Sequence, residues 1–354
     1  MVLLNLQNDL LQLFLVMSEN SKGYRTQDAL PGIIFMIINT LALSLVDINS
    51  KLLKSFGMQS THIVFYYKTL LFLCILPWVL SKGIPKTKKI RVHFFRSILS
   101  VLASICFVSG LKYISIADAS ALENTKALLV VMAGVLFFGD KLTKTKTVAL
   151  LTGCLGAFIV ANPSFLSNPN SAEQLQTNPT GYIFIIMAVV LWSLNSITIK
   201  ILGKTESHRG QTFYLMLFAS MFSALFALVK WESVGKIGQL DITILPAGFN
   251  DLEAMSLNPD YIKYLAMMAL CYFIHSLSYF QSLKSDMSVV IPFRYTKLLF
   301  SGLLGFLMFG EVPYEQSYFG YLLIIVSGLL LLRYEIRRAK RKVDANKEEE
   351  NNSN

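Results

Sequence analysis

Ten apolar blocks decide what this chain can fold into. They run over residues 32–55, 61–80, 93–113, 117–138, 145–162, 181–202, 211–230, 260–282, 286–308 and 316–334, each about 18–24 residues long. A helix of that length crosses the hydrocarbon core of a bilayer. Lipid offers the backbone no hydrogen-bond partner, so a spanning segment must satisfy itself as a helix or within a closed barrel. Composition agrees: 54% of residues are hydrophobic and 15% charged, against about 25% charged in an ordinary soluble domain. The chain is predicted to be an all-α polytopic membrane protein with ten transmembrane helices.

The net charge of +10 raises the question of nucleic acid, but its distribution excludes that partner. The cations cluster in alternate connections: Lys82, Lys86, Lys88, Lys89 and Arg91; then Lys141, Lys144 and Lys146; then Lys204 and Arg209; then Lys284. The tail adds Arg337, Arg338, Lys340, Arg341 and Lys342. The long loop Trp231 to Pro259 on the other side carries Glu232, Asp241, Asp251 and Glu253. The positive-inside bias then places both termini in the cytoplasm. Cys74, Cys106, Cys154 and Cys271 all lie in apolar blocks without ligand spacing, so neither a disulfide framework nor a metal site is indicated. The histidines, His62, His93, His208 and His275, are scattered, and no catalytic constellation is expected.

The chain repeats itself. ALENTKALLVVMAGVLFFGD (residues 121–140) echoes PFRYTKLLFSGLLGFLMFGE (292–311) at an offset of 171, which sets Thr125 on Thr296, Lys126 on Lys297 and Asp140 on Glu311. Glu123 falls opposite Arg294. Five spans per half is an odd number, so the halves are inverted, a 5+5 inverted repeat with its site at their interface. The expected organisation is a cytoplasmic segment 1–31, a first repeat 32–162, a linker 163–180, a second repeat 181–334 and a charged tail 335–354. Residues 1–17 read either as an interfacial helix or as sequence upstream of a start at Met17. Gly153 with Gly156, and Gly302 with Gly305, are expected to let helices approach closely.

Ionisable groups inside a span are costly and mark function by default. Asp47 and Lys51 are four apart and share a face; they read as a self-neutralising pair or as gating and coupling groups. Lys68, after Tyr66 and Tyr67, lies about 10 Å into its span. Arg96 reads as a snorkelling anchor. Glu123 and Lys126 share a face of the fourth span. The sixth contributes Asn195, and the ninth Arg294, Tyr295 and Lys297, with Pro292 loosening the helix. His275 reads as a packing residue or as a coupling group.

The expected substrate-binding set is Lys126, Lys297, Arg294, Glu123, Lys68, Tyr67, Tyr295 and Asn195; Asp47, Lys51 and His275 are the gating or coupling set. With Asp47 assigned to Lys51, and Glu123 to one cation such as Arg294, about two positive charges remain unanswered. Arginine does not give up its proton. A bound anion answers both charges.

These residues resemble the EamA-type carriers of the drug/metabolite transporter superfamily from Gly32 to Arg337. The marks are Asp47 with Lys51, FYYK ending at Lys68, RSILSVLASICF from Arg96, IADASAL, FFGDKL, AFIVANP and SVVIPFRYTKLLFSGLLGFLMFGEVP. The PFRY form is similar to a branch of S-adenosylmethionine and organic-anion carriers. The resemblance implies ten helices around a cavity, alternating access and no cofactor. It also implies anion-binding lysines at Lys126 and Lys297, the places where nucleotide-sugar and triose-phosphate carriers bring theirs. The expected function is secondary transport of a small anionic metabolite. The alternatives are an amino-acid-like or cationic substrate such as S-adenosylmethionine, and a non-transporting receptor. Expected partners are the substrate and the lipid bilayer, and a homodimer is compatible with the reading.

Overall fold

The computed structural model describes residues 29–81, 83, 85–138, 143–161, 179–202, 206–228, 230–231, 242–243, 259–282, 290–330 and 333–334. The segment before residue 29, the linker from 162 to 178, Asp140 and the tail from 335 lie outside the described residues.

The described chain is helical apart from a two-residue ladder pairing Lys230–Trp231 with Ile242–Thr243. In order come α1 (Ala29–Ser55), α2 (Ser60–Ser81), α3 (Ile90–Gly110), α4 (Ile116–Asn124), α5 (Lys126–Phe138), α6 (Lys144–Ala161), α7 (Pro179–Leu202), α8 (His208–Ala227) and α9 (Pro259–Ser282). A 3-10 segment Ile291–Tyr295, α10 (Thr296–Phe309) and α11 (Glu315–Leu330) complete it. Among the described residues, six helices are long and apolar enough to cross a membrane by length and composition: Leu30–Ser55, Ser60–Ser81, Ile90–Gly110, Lys144–Ala161, Pro179–Thr198 and Arg209–Ala227.

Local chemistry sets several ends. Ser115 caps α4 by accepting the Asp118 amide at 3.0 Å, and Ser207 caps α8 by accepting the Gly210 amide at 3.3 Å. Gly310 closes α10 in the left-handed region at φ 65°, a conformation that glycine adopts without steric cost. Near the start of α8, the Glu206 carboxylate accepts from Thr87 and meets His93 Nε2 at 2.6 Å, tying α8 to α3. Burial works against that carboxylate, but the hydrogen bonds from Thr87 and His93 outweigh it and hold its pKa below the usual range.

The fourth apolar block is not the continuous helix expected over 117–138. It breaks at Thr125, where α4 ends and α5 begins. The ninth block changes from 3-10 to α at Thr296, the residue that aligns with Thr125 in the sequence. At both breaks the threonine hydroxyl donates to the carbonyl three residues back, Thr125 to Leu122 and Thr296 to Phe293, each at 2.6 Å. A hydroxyl that competes for a helix carbonyl in this way bends or interrupts the helix. Lys126 and Lys297 each follow such a break directly.

Among the described residues, a small apolar core at Leu128 and Ala149 accompanies two large ones. One joins Ile48, Phe107, Leu122, Ile185, Leu298 and Ile324; the other joins Val46, Val101, Met216, Leu265 and Met268. Helices α1 and α3 therefore serve both. Large apolar side chains also cover the outside, with Leu299 71%, Leu151 67% and Leu307 65% exposed. Such a surface is stable against lipid rather than water.

Helices α6 and α11 cross backbone to backbone. A Cβ on Gly156 would stand 2.8 Å from the Gly320 carbonyl oxygen, and one on Gly320 would stand 2.8 Å from the Gly156 oxygen. Gly302 is different: a Cβ there meets nothing nearer than Ala117 Cβ at 3.9 Å, so the expected close approach does not occur at that position. Gly156→Ala should therefore cost about 1–3 kcal/mol through forced helix separation. Gly302→Ala should be neutral or slightly stabilising, because alanine is the better helix former. Melting temperatures of the two variants in detergent check the contrast.

Candidate functional site

The Lys297 ammonium is the centre of the buried charge. It pairs with Asp47 at 2.9 Å and with Glu123, so α10, α1 and α4 meet on one cation. The Lys297 side chain is 4% exposed and Asp47 6%, and the Phe107 ring lies 5.7 Å from Nζ. Hydroxyl contacts hold the same three helices: Thr40 to Thr296 at 2.8 Å, Ser44 to Ser301 at 3.1 Å, and Ser120 to Ser301 at 2.7 Å. Sequence reasoning did not select these hydroxyls. The signal was present, since Thr40, Ser44, Asp47 and Lys51 recur at four, three and four residues along one helix face.

The expected pairings are corrected here. Asp47 does not pair with Lys51, nor Glu123 with Arg294. Lys51 pairs instead with Glu311 and donates to the Ile114 carbonyl at 2.6 Å. Glu311 also accepts the Ile116 amide at 3.0 Å. A carboxylate at the first turn of α4 meets the positive end of that helix, which favours this partner over the intrahelical one. The junction adjoins a cavity of about 370 Å³ lined by Lys51, Lys112, Ser115, Asp118, Tyr182 and Glu311, among others.

Lys126 and Arg294 lie close enough to act electrostatically on Glu123, as Lys297 does. Neither has a carboxylate within 4 Å among the described residues. Lys68 is 2% exposed, and its ammonium lies 5.0 Å from the Tyr67 ring and 5.6 Å from the Tyr272 ring, again without a carboxylate among the described residues. Tyr67 and Tyr272 pack at 5.5 Å. His275 sits on α9 between Tyr272 and Tyr279. Asn39 Nδ2 donates to the His275 carbonyl at 2.9 Å and lies 2.8 Å from its ring Nδ1, which fixes the ring against α1.

The structure gives three of these residues partners on other helices. Tyr295 packs on α11: its hydroxyl occupies the space a Cβ on Gly328 would need, at 1.2 Å. Asn195 accepts from Arg96 Nε at 3.3 Å. Arg96 is no snorkelling anchor, being 6% exposed and enclosed by α7 and α8. Sequence reasoning also passed over Asp118, 2% exposed, which accepts from Tyr321 at 2.6 Å, Ser115 at 2.8 Å and Tyr182 at 3.5 Å.

A helical bundle with an apolar exterior has the character of an integral membrane protein, and ionisable groups held inside it mark a functional site by default. The chain belongs to the EamA-like transporter family, whose model matches residues 30–162 and 179–333. It is similar to a riboflavin transporter of Vibrio cholerae, 26% identical over 88% of this chain and 96% of that protein. A riboflavin transporter of Rhizobium johnstonii is 23% identical over 92% of this chain and 98% of its own length. An S-adenosylmethionine uptake transporter of Rickettsia felis is 22% identical over 88% and 96%. This is a membrane protein of a transporter family and not an enzyme.

Proposed function

We propose that the protein is a secondary carrier of a small anionic metabolite that bears a flat heteroaromatic ring. Ten spans form two inverted five-helix repeats, 32–162 and 181–334, with both termini cytoplasmic. The repeats rock about the Lys297 centre to give alternating access.

One observation carries the sign of the substrate. Among the described residues, Asp47 and Glu123 both serve Lys297, Lys126 and Arg294 act on Glu123 as well, and Lys68 stands by the Tyr67 and Tyr272 rings. The other three cations have no carboxylate within 4 Å among the described residues. An anion about 5 Å from one such cation gains roughly 3 kcal/mol at an effective dielectric constant of about 20. The ring is supported by the Tyr67, Tyr272, His275 and Tyr279 series, and by what riboflavin and S-adenosylmethionine, named for the relatives, have in common. Substrate neutralisation of Lys126 and Arg294 favours the occluded state, and the Lys51–Glu311 contact acts as the gate.

A second reading rests on Asp47 and Glu123: two buried carboxylates recognise a cationic compound such as S-adenosylmethionine once Lys297 is displaced. Thermal shifts of the purified protein with riboflavin, its 5′-phosphate and S-adenosylmethionine separate the readings, because a ligand that binds only the folded state raises the melting point. The larger shift is expected from the phosphate ester. A shift from S-adenosylmethionine alone would establish the second reading.

A further inference from the structure

Arg96 is a buried cation that the described residues leave largely unanswered. It is 6% exposed, and a guanidinium keeps its charge under all ordinary conditions. Two other inner cations have carboxylates, Asp47 and Glu123 for Lys297 and Glu311 for Lys51, while Lys68 has the Tyr67 and Tyr272 rings. Arg96 has only neutral amide oxygens: Asn195 Oδ1 at 3.3 Å from Nε, and the Gln211 carbonyl at 3.4 Å from Nη1. Both are long beside the 2.7–2.9 Å usual for charge-assisted bonds, at about half an ångström more. Most of its five N–H donors have no acceptor among the described residues. A carboxylate is at hand one turn away, but Glu206 is committed to His93 and Thr87.

The surroundings connect Arg96 to the charge centre. On α3, Arg96, Ser100, Ser104 and Phe107 recur at four, four and three residues, so one helix face carries them all. Phe107 ends the stripe over the Lys297 ammonium, about 16 Å along the helix from Arg96. Asn195 lies one turn from Trp192 on α7, and Trp192 packs against Phe107 at 5.1 Å. The same helix pair therefore lines both places.

We propose that Arg96, with Asn195, forms a second anion-binding station for a carboxylate or phosphate group, between the Lys297 centre and the end of the bundle where α3 begins. The assignment rests on the anion reading above and extends it to a two-station route. An anion at Arg96 supplies the acceptors that the protein withholds, and Asn195 orients the guanidinium without neutralising it.

The test uses inorganic phosphate as probe, with chloride at matched ionic strength as control. Melting temperature is recorded for wild-type protein, Arg96→Met and Lys126→Gln. Phosphate should raise the melting point of the wild type by a few degrees and that of Lys126→Gln by less, with no rise for Arg96→Met. Without phosphate, Arg96→Met should melt at or above the wild-type temperature, since an unanswered buried charge has been removed. A lower melting point for Arg96→Met alone, with the phosphate shift intact, would make Arg96 a structural cross-link and overturn the station. A shift lost only in Lys126→Gln would overturn it too, while leaving the anion carrier standing. No shift in the wild type would contradict the station and the anion reading together.

Discussion

Lys297→Met is expected to abolish uptake and to destabilise the protein by about 3–5 kcal/mol, the usual consequence of removing one partner from a buried ion pair. The reason is local. Asp47 and Glu123 both converge on the Lys297 ammonium, and without it two carboxylates face each other away from water. The triple variant Lys297→Met, Asp47→Asn, Glu123→Gln should recover most of the stability and none of the transport. Melting temperature and proteoliposome uptake, measured on both proteins, separate the structural part of the lysine's role from the part that acts on substrate. Equal uptake by wild type and the single variant would remove Lys297 from the mechanism.

Asp118→Ala is expected to cost a similar amount, about 3–5 kcal/mol, by a different route. Its carboxylate accepts from Tyr321 at 2.6 Å, Ser115 at 2.8 Å and Tyr182 at 3.5 Å, joining α4 to α11 and α7. Each buried hydroxyl left without its acceptor costs about 1–3 kcal/mol. Asp118→Asn keeps an acceptor oxygen and should lose less than half as much. Thermal unfolding of both variants in detergent checks the order, and identical melting points would show that the carboxylate is not the keystone of these contacts.

Much of the fold was legible in the sequence because the requirement is one of length and polarity. A spanning helix must be apolar for about 20 residues, and blocks such as 93–113 and 181–202 closely match α3 and α7. The break at Thr125 was not legible. GluAsnThrLys carries no proline or glycine, and the interruption depends on a hydroxyl reaching the Leu122 carbonyl, which periodicity does not register.

For the site, the gathering of ionisable residues within the apolar blocks was visible because counting charges needs no geometry. The pairings could not. Asp47 and Lys51 satisfy the four-residue rule on α1, yet each finds a partner on another element: Asp47 takes Lys297, and Lys51 takes Glu311 at the head of α4. Tertiary contacts between residues 250 apart (297 − 47) and 260 apart (311 − 51) decided that outcome. Tyr295 was expected in the binding set from its place in the ninth block, and its contact with α11, made possible by the missing side chain of Gly328, could not be read from the sequence. Arg96 misled in the opposite direction. Its position near a helix start resembles an anchor, and only the packing of α7 and α8 around it shows a buried charge.

The account stands on negative charge being welcome beside Lys126 and Arg294. The most direct measurement is the affinity ratio of riboflavin 5′-phosphate to riboflavin, taken on wild-type protein and on Lys126→Gln/Arg294→Gln. Losing two favourable charge contacts should reduce a wild-type preference of about ten-fold or more for the phosphate ester to about two-fold or less. A wild-type protein that binds both compounds equally, or a preference that survives the double substitution unchanged, would contradict it.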